Sequence, residues 1–155
     1  MSNTKPKVAN QLVGIAGVHF VVSELSLRGL IALPTIKNTA GVDVIVASAD
    51  GSWHANLQVK TSQKRVTYWP VGTRFEQWRG KNNFYVFVRF LEKESRFEAF
   101  LESADRVIQQ VKARSKKAKL REAKGFPSWS LPEGNIESER LCRKWREFGQ
   151  GYSTK

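Results

Sequence analysis

Asp43, Gln58 and Lys60 are the residues of this chain whose types and spacing suit chemistry best. Asp50-Gly51 is a preferred centre for a two-residue type I′ hairpin turn. With those two as the loop, Ala49 pairs with Ser52, and counting back along both strands puts Asp43 opposite Gln58, with Cβ atoms about 5 Å apart. Side chains alternate along a strand, so His54, Asn56, Gln58 and Lys60 share a face with Asp43, while Trp53, Ala55, Leu57 and Val59 point the other way. A carboxylate, an amide oxygen and an ammonium on one face of a hairpin are what metal-assisted phosphodiester cleavage needs. The same residue types also make an ordinary solvated strand face, and a one-residue slip of register would part Asp43 from Gln58.

The elements that must position these residues follow from periodicity. Residues 10–28 read as a helix with Gly29 as its C-cap. Val13, Ala16, Gly17, Phe20 and Leu27 form one apolar stripe at helical spacing, and Glu24 falls within it. A carboxylate on a core-facing stripe needs a partner or a cation. It is either an oxygen ligand beside Asp43 and Gln58 for Mg²⁺ or Mn²⁺, or a stripe-edge residue that reaches solvent or pairs with Arg28 at i+4.

The order Glu24, then Gly41-Val42-Asp43, then Gln58-Val59-Lys60-Thr61 resembles the PD-(D/E)xK nuclease superfamily, which includes restriction endonucleases and archaeal Holliday-junction resolvases. Ala16-Gly17-Val18-His19-Phe20, Ser23-Glu24-Leu25, Arg28-Gly29 and Thr35, Asn38 and Thr39 before Gly41 are similar to a branch of small bacterial proteins within it. The resemblance spans residues 12–62 and, by strand pattern alone, 83–105. It implies a restriction-endonuclease-like fold and a metal-dependent endonuclease that hydrolyses DNA with a metal-activated water. Asp43 would ligate the metal, and Gln58 would stand at the second acidic position beside the Val59 carbonyl. Lys60 would orient or deprotonate the water, and Glu24 would complete the site. Many relatives act as dimers, so the resemblance also allows a homodimer. Two positions depart from the pattern: Gln58 stands where many members carry an acid, and Val18 follows Gly17 where related nucleases often carry Glu.

Composition fits a polyanionic partner. The 155 residues carry a formal net charge of +12 with a pI near 10.1, and 41% are hydrophobic, enough for one domain with a core. Simple solubility, or attraction to acidic membranes, would use the same charge. The single cysteine, Cys142, excludes an intrachain disulfide and a Cys-based zinc site, and His19 and His54 are too few for a His-rich one. No apolar run is long enough to span a membrane and residues 1–7 show no signal-peptide core, so a cytoplasmic location is expected.

Asn38 and Thr39 lead into Asp43 and suit either a phosphate contact or a turn. After Lys60, Lys64 and Arg65 precede Tyr68 and Trp69, which suits phosphate contact with base stacking, or a loop anchored in a satellite core by Trp69. Residues 106–124 hold eight Lys or Arg and one acid, including Lys112, Arg114, Lys116 and Lys117. They read as a basic helix or arm along a nucleic acid, or as a solvated face.

The expected architecture is α/β. A mixed central sheet has strands near 30–35, 42–48, 53–61, 83–91 and 96–101, flanked by helices near 10–28 and 103–120. Residues 126–129 form a break, and a helix over 137–148 caps the core. Residues 1–9 form a disordered tail and 10–150 a single domain, with its core at 10–105 and the basic helix and cap at 106–150. The leading reading is a DNA nuclease, with RNA not excluded. The alternatives are a nucleic-acid-binding module without catalysis, and an interaction protein whose charge serves a protein partner.

Overall fold

The computed structural model describes residues 8–36, 41–120 and 126–152. Most of the expected tail, together with Asn38 and Thr39, lies outside the described residues. The chain forms α1 (Asn10–Leu27), β1 (Ile31–Pro34), β2 (Val44–Ala47), β3 (His54–Ser62), β4 (Tyr68–Pro70), β5 (Asn83–Leu91), β6 (Arg96–Ser103), α2 (Ala104–Leu120), β7 (Ser128–Ser130) and α3 (Asn135–Glu147). Five strands make one sheet in the order β1-β2-β3-β5-β6. Only the β3–β5 pair is parallel. The fold is therefore α/β with a mixed five-stranded sheet, and the β3–β5 crossover carries β4. Among the described residues no helix is long and apolar enough to cross a membrane.

Alternation along β3 gives the sheet two different faces. Ala55, Leu57 and Val59 pack with Val21 and Leu25 of α1 and Trp145 of α3. On the other face Tyr85 and Phe87 of β5 pack with Val107, Ile108 and Val111 of α2. Gln58 and Lys60 belong to this second face.

The buried residues of α1 are Gly17, Val21 and Leu25, whereas Leu27 is 84% exposed. The expected stripe through Ala16, Glu24 and Leu27 is therefore rotated on the helix. Apolar residues occur all round α1, so periodicity alone could not choose a side. Backbone contact chose it: Gly17 lies against Thr61 so closely that a Cβ there would fall inside the threonine side chain.

The hairpin turn also differs from expectation. A type I′ turn needs positive φ at both central residues, and Asp50 does not have it, whereas Gly51 has φ 71°. The loop is four residues, Ala49 to Ser52, closed by Ser48 N–H to Trp53 O at 2.9 Å and Gly51 N–H to Ser48 O at 3.0 Å. The Asp50 carboxylate accepts from the Ser48 and Ser52 hydroxyls and the Ser52 N–H, which hold its pKa down at about 2. Adding one residue to each side of the loop leaves the pairing unchanged.

Residues expected to form only a break supply β7, which pairs with β4 so that Trp69 and Trp129 face each other. Both indoles are 1% exposed. Trp69 donates to Val88 O at 3.0 Å, and Trp129 donates to Gln110 Oε1 at 2.6 Å. Trp69 therefore anchors a core and is not a surface for bases to stack on. At the sheet's far edge, buried Glu102 draws in Lys144 at 2.9 Å, Arg106 at 3.5 Å and Arg140 at 3.8 Å, fastening α3 and the start of α2 to β6.

Candidate active site on the central hairpin

The β2–β3 register pairs Val44 with Leu57 and Ala47 with His54. Continued outward by one pair, it sets Asp43 opposite Gln58, as the spacing predicts. Asp43 is pinned from both sides: its N–H donates to Leu57 O at 2.8 Å, and its carbonyl accepts from Thr35 N–H at 3.0 Å. Its side chain takes the place of a strand partner, with Oδ2 accepting the Val59 N–H at 2.7 Å. This is why β2 starts at Val44 and not at Val42. Gly41, just before, has φ 80° and meets the Trp78 ring at 3.0 Å from where its Cβ would be. A side chain there would be strained and crowded.

Gln58 and Lys60 sit two residues apart on the strand with neighbours on both sides, a rigid mount. Neither makes a side-chain hydrogen bond or ion pair among the described residues. Burial raises the Asp43 pKa above its ordinary value, against the Val59 N–H and the Lys60 charge, which lower it. Burial likewise lowers the Lys60 pKa, and the Asp43 charge opposes that. Each group thus carries a desolvation penalty larger than its attraction to the other.

Tyr85 pairs with Gln58 across the parallel β3–β5 ladder, and Phe87 pairs with Lys60. The Tyr85 hydroxyl and the Trp78 indole N–H are buried without a hydrogen-bond partner, and burial pushes the Tyr85 pKa up to about 12. A neutral phenol beside Gln58 was missed from the sequence. Its alternating strand was visible, but the register of a parallel pair joined by a crossover was not.

Glu24 is not brought to this site. Its carboxylate pairs with Arg28 at 2.9 Å, and Arg28 also donates to Trp145 O at 2.5 Å and lies 4.6 Å from the centre of the Trp145 ring. α1 packs on the opposite face of β3, and Glu24 lies about 10 Å of helix rise from Gly17, the residue that meets Thr61. The i+4 partner therefore claims the carboxylate. Val18 packs against the core of that same face. Glu24→Gln should leave any cleavage rate within about twofold. The melting temperature should fall by no more than roughly 2 °C in a thermal scan, as for a half-exposed i,i+4 pair.

Among the described residues no group of three or more Asp, Glu, His or Cys side chains lies together. The oxygen donors in place are the Asp43 carboxylate, the Gln58 amide and the Val59 carbonyl. His54 lies at the turn end of the hairpin, bonded to Asn82 at 3.0 Å.

No protein-family model, curated protein or solved structure matches the chain.

Of the expected nucleic-acid contacts, Lys64, Arg65, Arg114, Lys116 and Lys117 are exposed. Lys112 is bonded to Glu76 at 2.7 Å.

Proposed function

We propose that the protein is a metal-dependent nuclease of the PD-(D/E)xK type, with a restriction-endonuclease-like fold, that hydrolyses phosphodiester bonds in DNA. One observation carries the reading: Asp43, Gln58 and Lys60 lie together on one face of a rigid hairpin, with Gln58 and Lys60 unpartnered among the described residues.

The donors are hard oxygens, which suit Mg²⁺ or Mn²⁺. Asp43 and Gln58 would hold the ion, with the Val59 carbonyl beside them. Bound there, such an ion lowers the pKa of water and offsets charge on the phosphate. With one carboxylate, the site suits a single ion held weakly.

The chain's own groups do the rest. The Val59 N–H fixes Asp43 Oδ2, leaving Oδ1 free. Lys60 sets a positive charge where negative charge builds on the phosphate, and its lowered pKa eases proton exchange with water.

The test is supercoiled plasmid, a branched duplex and single-stranded DNA incubated with Mg²⁺, Mn²⁺ or EDTA, with Asp43→Asn alongside. Cleavage that needs the ion and drops at least about 100-fold in the variant is expected. Cleavage that persists in EDTA or in the variant overturns the reading. The rate should fall with decreasing pH as Asp43 takes up a proton, at a pH above that of an ordinary aspartate because its pKa is raised. A second reading, a nucleic-acid-binding module without catalysis, draws support from the Glu24–Arg28 pair and from Val18, which leave the site one carboxylate.

A further inference from the structure

A cavity of about 1030 Å³ opens on the same side of the sheet as Lys60, between the β4–β7 ribbon, α2 and the start of α3. Arg65, Arg89 and Arg114 line it from three separate elements, and Glu133 is its one acid. Arg89 is committed, bonded to Glu98 Oε2 at 2.7 Å and to Val66 O at 2.8 Å. Arg65 and Arg114 are exposed and make no hydrogen bond or ion pair among the described residues. The remaining wall mixes hydroxyls and amides, including Thr67, Ser128 and Ser130, with the apolar Trp129, Leu131 and Pro132.

Two uncommitted guanidiniums in one cavity suit phosphates, which they can grip with paired N–H donors. The volume exceeds what one free phosphate needs and lies at the upper end for small-ligand sites. Tyr68 stands directly opposite Ser130 in the ribbon, so both share a face, and it is 56% exposed. Tyr68 is thus an exposed ring next to a residue of the cavity wall. Arginines along a groove with an aromatic at its edge are the elements of single-strand binding. A duplex, a convex cylinder, does not enter such a pit.

The cavity also lies near the candidate active site. Lys60 pairs with Phe87, whose ring stacks on Trp129 of the cavity wall at 3.9 Å. Arg65 follows Lys60 by five residues, at most about 18 Å of chain.

We infer that this cavity seats the sugar–phosphate backbone of a single strand, with Arg65 and Arg114 on phosphates and Tyr68 under a base. That the phosphate carrier is a nucleic acid rests on the nuclease reading.

The experiment is fluorescence anisotropy in EDTA with a labelled single strand and its duplex across a salt series. It compares the wild type, Arg65→Ser/Arg114→Ser, Tyr68→Ala and Glu24→Gln, with thermal melts to confirm folding. Single-strand binding should weaken about tenfold or more in the double arginine variant. Its salt slope should fall by about 1.4, two phosphates' worth. Tyr68→Ala should lose about fivefold or more, and Glu24→Gln, on the opposite face of the sheet, should bind like wild type.

Tighter binding to duplex than to single strand overturns the inference, as does unchanged binding in the arginine variant. Stabilisation by inorganic pyrophosphate with no binding of the strand overturns the nucleic-acid occupant. A wild type that binds through the cavity and cuts nothing sinks the nuclease reading alone. One that cuts normally with both arginines replaced sinks the cavity alone.

Discussion

Lys60→Met is expected to abolish cleavage and at the same time make the protein harder to unfold. Lys60 is the one fixed positive charge on the hairpin face with Asp43 and Gln58, and loss of a comparable charge-stabilising donor costs about 10²–10³ in rate. The stability gain has a separate cause. Burial is the largest influence on Lys60 and outweighs the attraction of Asp43, so its folded pKa lies below the ordinary 10.5. A depressed pKa means that the stability tied to the group is present above its unfolded value and lost as pH falls through the folded one. At neutral pH the wild type therefore bears the penalty of a desolvated ammonium, and methionine, with a similar stem, does not.

Removing such a burden typically yields about 0.5–2 kcal/mol, or a rise in Tm of a few degrees for a chain of this size. The difference between variant and wild type should shrink as pH rises past the folded Lys60 pKa toward 10.5. A plasmid assay and melts at several pH values read both effects. A lower Tm at neutral pH would show that Lys60 is net stabilising and that burial does not outweigh its attraction to Asp43.

Gly17→Val is expected to destabilise the fold by about 3 kcal/mol or more, a fall in Tm of roughly 6–12 °C. In an exposed helix, replacing glycine normally gains up to about 1 kcal/mol. Here the new Cβ would overlap the Thr61 Oγ1, with Thr61 Cβ at 2.8 Å. Either α1 lifts from β3 or β3 bends, and both uncover Val21, Leu25 and Val59. Gly17→Ala should act in the same direction with a smaller loss, and Thr61→Ala should recover part of it, because Cβ–Cβ crowding remains. Melts of the single and double variants give the coupling. Additive losses would mean that α1 does not rest on Thr61.

Much of the hairpin was legible because its information is local. Asp50-Gly51 marked the turn, and the pairing of Asp43 with Gln58 survived a wrong turn type because the loop grew equally on both sides. The helices and the five sheet strands were legible from periodicity and β-branched runs. The side α1 buries was not, since apolar residues surround it and a glycine contact decided the matter. The fate of Glu24 turned on Arg28, four residues away, held in turn by Trp145 at the far end of the chain. Short segments beside Pro70 and Pro127 hid a ribbon whose two halves have meaning only together. Tyr85 beside Gln58 depends on a parallel pairing that no local pattern encodes.

The ribbon gives the protein a folding order. Asp43, Gln58 and Lys60 lie within one meander, β1 to β3, whose contacts close short loops and can form early. Trp69 and Trp129 meet 60 residues apart in sequence, so their junction waits until β5, β6 and α2 are in place. The two indoles tie the ribbon to β5 and α2, so opening it exposes the core beneath, and the cavity wall lasts only as long as that core.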